Sequence, residues 1–184
     1  ERLKVKAQIA LRVNPDIDPR THPYISTGLK TNKFGISMDK AQEAYQAARR
    51  LSHIKIIGVD CHIGSQVTEV EPFMDAFKKL RRLIEDLESM GIDIRYLDLG
   101  GGLGITYDQE SPPHPEEYGK AILKTLGDMP ITLIFEPGRV IVGNAGVLVT
   151  RVLYIKRGER KNFIIVDAGM NDLIRPALYN AYHT

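Results

Sequence analysis

Cysteine is almost missing from this chain: one stands in 184 residues, so no internal disulfide can form. That fits a reducing, cytoplasmic setting, and Cys61 itself reads as a small buried hydrophobe. Long apolar runs are missing too; ITLIF and GVLV fall far short of the ~18 residues that suggest a membrane span. There is no signal-peptide pattern, no internal repeat and no low-complexity tract. Charge of one sign is lacking, since 25 Lys and Arg against 23 Asp and Glu leave a net +2. No long-range field marks a nucleic-acid or membrane binder, and any bound anion must be held locally. Metal-ligand spacing (HxH, HExxH, a carboxylate cluster) does not occur either.

What is present is an ordinary globular composition, 43% hydrophobic, of a length that suits one or two domains. Residues 4–13 alternate as a strand. Residues 14–36, rich in Pro, Asp, Thr and Gly, make a connector long enough to expect a functional or mobile loop. Ser37 or Asp39 can cap a helix that ends near Ser52, and IKIIGVDC (54–61) reads as a buried strand. Phe73, Phe77, Leu80, Leu83, Ile84 and Leu87 recur at helical spacing, with Gly91 as a stop. IRYLDL is a strand, Pro115 opens a helix that Gly127 closes, and ITLIF is a further buried strand. Beyond Arg139, VIVGNAGVLVTRVLYIK and NFIIVDAG read as consecutive strands joined by RGERKN, without a helix between them.

Strands alternating with single helices imply right-handed parallel βαβ units, with ligands at the strand C-termini. Too few strands are present to close an eight-stranded barrel. Either the sheet is open and doubly wound, or the first half of a barrel is missing. The chain starts already in strand alternation, has no initiator Met, and stops just after a new element begins, which favours the second reading. We expect an α/β chain: the second half of a (β/α)8 barrel over 1–143, then the start of a β-rich domain over 144–184.

Each strand ends in an unusual cluster: CHIGSQ (61–66), LGGGLG (99–104) and FEPGR (135–139). On neighbouring strands these would share one rim. Gly100, Gly101 and Gly102 can turn backbone N–H groups toward an anion and let a phosphate approach, or can simply form a tight turn. A dinucleotide fingerprint fits poorly, since the position that requires Gly or Ala is Ile105. Ser65 can add a hydroxyl donor. His62 can offer a flat ring to the rim, or be a satisfied structural histidine; Cys61, adjacent on the strand, points to the other face and makes no nucleophilic pair with it. Glu136 either forms a corner ion pair with Arg139 or, as a buried carboxylate, keeps a heteroaromatic nitrogen protonated, which leaves Arg139 for an anion. Arg175 and Tyr179 lie on one side if 176–179 is a helical turn, and Arg175 then suits a carboxylate or merely caps the surface.

Taken together, RVNPDIDPRTHPYISTGLKTNKFGI, HIGSQ, LDLGGGLGI, FEPGR and DAGMNDLIRPALY resemble the diaminopimelate decarboxylases, in order and along nearly the whole chain. The resemblance implies a pyridoxal 5'-phosphate enzyme of alanine-racemase-like fold, a cytoplasmic homodimer with shared active sites that decarboxylates meso-2,6-diaminopimelate to L-lysine, the last step of lysine biosynthesis. It implies that His62 stacks on the pyridine ring. Ser65, Gly100, Gly101, Gly102 and the Glu136–Arg139 main chain, with Pro137 and Gly138, would surround the phosphate. Glu136 would pair with the pyridine nitrogen, and Arg139, Arg175 and Tyr179 would contact substrate. Same-fold decarboxylases of the carboxynorspermidine, arginine or ornithine type, and a non-catalytic cofactor-binding relative, stay open. The family's cofactor-bearing lysine and its C-terminal Cys/Glu motif have no counterpart in this chain, so by itself it is expected to be inactive.

Overall fold

In the computed structural model, which describes residues 3–18 and 33–183, the strand alternation becomes a five-stranded parallel sheet in the order β2-β1-β3-β4-β5. Its strands are β1 (Ala7–Asn14), β2 (Ile36–Ser37), β3 (Ile54–Asp60), β4 (Tyr96–Asp98) and β5 (Thr132–Ile134). The helices between them are α1 (Met38–Arg49), α2 (Glu71–Ser89) and α3 (Pro115–Leu126). Most of the long connector after β1 lies outside the described residues.

The pleat sorts the strands into two sets. Leu11, Val59, Leu97 and Leu133 are aligned across the sheet; Val59 and Leu97 are fully buried in the core that α1, α2 and α3 build against this face. The next residues, Arg12, Asp60, Asp98 and Ile134, are also aligned but face the other way and stay partly or fully exposed. Helices thus cover one face only, as on the arc of a barrel; a doubly wound sheet would be covered on both.

α2 carries most of the packing. All six of its expected apolar positions are buried, and Phe73 and Phe77 stack with Tyr118 of α3. Burying each such side chain contributes about 1.5–3 kcal/mol. Tyr45 of α1 is fully buried and donates its hydroxyl to Gly58 O at 2.9 Å, which ties α1 to the sheet. Cys61 is buried as expected, its thiol pushed up to about 12 by desolvation, and is therefore inert. Ser37 occupies the α1 N-cap, but its side chain makes no capping bond; its main chain pairs with Asn14 as part of β2, which the sequence reading did not foresee.

Two expectations fail: ITLIF carries a strand that is not buried, with Thr132, Ile134 and Phe135 exposed, and the segment after it takes another form. VIVG is not a strand: Arg139–Val142 form a short helix, α4, and no strand occurs until β6 (Val152–Arg157). Val140 packs against the core from α4, so tertiary contact overrides the β-branched preference of the segment. β6 then pairs antiparallel with β7 (Asn162–Val166), and a last short helix, α5, spans Arg175–Tyr179.

Candidate active site

The parallel register brings the ends of β3, β4 and β5 to one rim, as the clusters suggested. What joins them is main chain. Glu136 N donates to Gly100 O at 3.0 Å, Val67 N to Gly102 O at 2.9 Å, and Cys61 N to Asp98 O at 3.0 Å. The glycines lie inside this seam: a Cβ on Gly101 would meet the Glu136 carbonyl, and one on Gly102 the Gly64 carbonyl. Gly102 also has φ +101°, a region that L side chains rarely adopt.

The three N–H groups of the run are not equivalent. Gly100 N donates to the Asp98 carboxylate at 2.9 Å and Gly101 N to His62 Nδ1 at 3.1 Å. Gly102 N has no acceptor among the described residues. Of the expected glycine donors, Gly102 alone remains available to an anion, and Gly100 and Gly101 serve the seam. The Ser65 hydroxyl likewise has no partner among the described residues. Arg139 N and Val140 N, at the start of α4, also have no acceptor among the described residues, as a helix start leaves its first donors unpaired. A hydroxyl, a glycine amide and the amides of the 138–140 turn make a donor set suited to a phosphate.

His62 is half-buried, and desolvation, followed by the Arg12 charge, lowers its pKa against the opposing pull of Glu136 and Asp98. The ring is therefore neutral near pH 7. Because Nδ1 accepts from Gly101, its proton is on Nε2. Glu136 is exposed, contrary to the buried carboxylate expected, because helices cover only the opposite face of the sheet. The alternative corner ion pair is also absent: among the described residues Arg139 turns away from Glu136, donating from Nη1 to Gln66 Oε1 at 3.2 Å. Partial burial lowers the Arg139 pKa without discharging it, and Tyr107 opposes that shift.

Arg175 and Tyr179 do lie on one side of α5, with the guanidinium carbon 5.8 Å from the ring centroid. Arg175 is also 5.1 Å from the Tyr107 centroid, and Arg139 is 5.8 Å from the same ring. Two cations from distant parts of the chain thus meet over one tyrosine. Sequence reasoning missed Tyr107 and Gln66. The only signal for either was its place beside a glycine-rich cluster; the φ of +60° at Gln66, which lets its side chain reach back over the rim, leaves no trace in residue type.

Below His62 and Glu136, the row Arg12–Asp60–Asp98 places two carboxylates side by side. Asp60 is pushed up to about 6, first by burial, then by Asp98, with Glu136 adding and Arg12 opposing. Between about pH 4, the ordinary aspartate value, and this raised value, the folded state holds a proton that the unfolded state has released. Stability should therefore fall as pH rises through that window and level off above it. Asp60→Asn should flatten the slope, read from melting temperatures at about pH 4 and about pH 7; parallel slopes for wild type and variant would remove Asp60 as its source.

No helix among the described residues is long and apolar enough to cross a membrane. The chain is 60% identical over 180 residues to the diaminopimelate decarboxylase of Pseudomonas aeruginosa, covering 98% of itself and 43% of that protein. Among solved structures it is similar to the Helicobacter pylori diaminopimelate decarboxylase complexed with L-lysine (45% identity, TM-score 0.95, 100% of this chain and 46% of that one). It is also similar to the M. jannaschii diaminopimelate decarboxylase in complex with L-lysine (41%, 0.89, 100% and 44%). The chain thus spans less than half the length of the relatives it matches. Residues 1–143, which carry the seam and its donors, match the family described as pyridoxal-dependent decarboxylase, pyridoxal binding domain; the chain belongs to that family.

Proposed function

We propose that this chain is the rim-bearing segment of a meso-diaminopimelate decarboxylase that uses pyridoxal phosphate and releases L-lysine and carbon dioxide. The observation that carries the reading is the convergence of Arg139 and Arg175 on Tyr107 beside a rim of phosphate-type donors. A substrate with a carboxylate at its far end needs a cation there, and a pair of guanidiniums supplies planar donor edges that match carboxylate geometry. A relative acting on a substrate with a cationic far end would need an acidic group instead. The identity to diaminopimelate decarboxylases along 98% of the chain supports the same reading.

When bound, pyridoxal phosphate supplies the electron sink that accepts the carbanion left by loss of carbon dioxide. Ser65, Gly102 and the Glu136–Arg139 main chain are the residues to hold its phosphate, and neutral His62 the one to lie against its ring. Glu136 holds a proton on the pyridine nitrogen, a role open to it because Arg139 is engaged elsewhere. Arg139, Arg175 and Tyr179 orient the substrate. On this reading the enzyme is a cytoplasmic homodimer with shared active sites, and a reduced, buried Cys61 fits that compartment.

The test is Arg175→Ala in the full-length enzyme. Loss of a charge-assisted hydrogen bond should raise KM for diaminopimelate about 10- to 100-fold. An unchanged KM would rule out the distal-carboxylate role, and with it the substrate assignment.

A further inference from the structure

We infer that Tyr107 is a positioning residue for the substrate carboxylate, its ring holding the Arg139 and Arg175 guanidiniums within reach of one another while no anion is bound. The inference rests on the carboxylate subsite proposed above and deepens it. Two guanidiniums brought together repel, and something must offset that repulsion before substrate arrives. An acidic side chain would do so by occupying their N–H edges, and would then compete with the substrate. An aromatic face attracts both cations without occupying the Arg175 edge, whose Nε has no partner among the described residues, while Arg139 keeps Nη1 on Gln66 Oε1.

The loop that presents Tyr107 is fastened at both ends. Upstream, Ile105 N donates to Gln66 Oε1 at 3.2 Å, and the same oxygen accepts from Arg139 Nη1 at 3.2 Å. Downstream, the Glu110 carboxylate accepts from Tyr107 N at 3.0 Å and Asp108 N at 2.7 Å, while Thr106 Oγ1 donates to Glu110 O at 2.9 Å. His183 packs edge-on against the ring, with centroids 5.2 Å apart. Arg175 Nε and His183 Nε2 are buried without a hydrogen-bond partner among the described residues. The ring is therefore fixed from several directions, while polar atoms around it remain unsatisfied. That combination suits a subsite built to receive an acceptor.

The experiment uses full-length enzyme and two inhibitors of diaminopimelate turnover: L-lysine, and cadaverine, which is L-lysine without its carboxylate. Tyr107→Leu should weaken L-lysine inhibition about tenfold and move cadaverine inhibition by no more than about twofold, the loss expected from removing a ring shared by two cations. KM for diaminopimelate should rise in parallel with kcat less affected, and Tyr107→Phe, which keeps the ring, should recover most of the loss. A Tyr107→Leu enzyme whose lysine-to-cadaverine inhibition ratio equals that of wild type would overturn the inference. Glu110→Ala, which loosens the loop without touching the ring, should shift the ratio in the same direction by about threefold; if Tyr107→Leu does not fold, an unchanged ratio in Glu110→Ala overturns the inference instead. Should Arg175→Ala shift the ratio while the Tyr107 and loop variants do not, only the role of Tyr107 falls. If wild type itself does not distinguish the two inhibitors, the subsite assignment falls.

Discussion

Glu136→Gln in the full-length enzyme should lower kcat about 100-fold, the scale on which a fixed charge at a reacting centre acts, and leave its thermal stability close to that of wild type. Both halves follow from the geometry. The main chain of Glu136 belongs to the rim seam, through its N–H to Gly100 O and its carbonyl against Gly101, and Gln preserves that. The side chain is exposed and makes no ion pair with Arg139, so replacing it removes no hydrogen bond or ion pair among the described residues. What Gln cannot do is carry the negative charge that favours a protonated pyridine nitrogen. Steady-state kinetics with diaminopimelate, alongside thermal melts, separate the two effects. A kcat within about threefold of wild type would mean that the ring nitrogen is protonated by something else.

Gly102→Ala should act on the fold. Its Cβ would meet the Gly64 carbonyl, which belongs to main chain and cannot swing aside, and the residue would have to adopt φ +101°. Overpacking and backbone strain together should cost about 3 kcal/mol, visible as a lower urea midpoint. Ser65→Ala is the contrasting variant. It removes a hydroxyl with no partner among the described residues, so unfolding should be unchanged while pyridoxal phosphate binds about five- to tenfold more weakly. A Gly102→Ala protein with wild-type stability would show that the seam can open. A Ser65→Ala protein with unchanged cofactor affinity would take Ser65 off the phosphate.

Much of this architecture was written in periodicity. The helical spacing in α2 is a one-dimensional signal of which side chains are buried; the alternation in β1 marked the strand, though of its apolar positions Val13 alone is fully buried. The rim clusters were legible because glycine, proline and isolated polar residues at strand ends are expensive unless geometry or chemistry needs them. VIVG was misread because strand formation depends on a neighbouring strand, and here the core contact of Val140 and the Pro137–Gly138 turn favour a helix instead. Tyr107 was missed because its importance lies in where Arg139 and Arg175 come from, 32 and 68 residues further along the chain. The exposure of Glu136 reflects which face of the sheet the helices cover, a property of the whole arc that no local pattern encodes.

The seam is made of main-chain hydrogen bonds and glycines pressed against carbonyls, whereas the proposed carboxylate subsite is made of side chains on loop and helix, Tyr107, Arg139 and Arg175. On the proposed reading, the phosphate would rest largely on main chain and the substrate carboxylate on side chains. Tyr107 and Arg175 contribute no bond to that seam, so redesign toward a substrate with a different far end can begin at positions 107 and 175 and leave the three glycines alone.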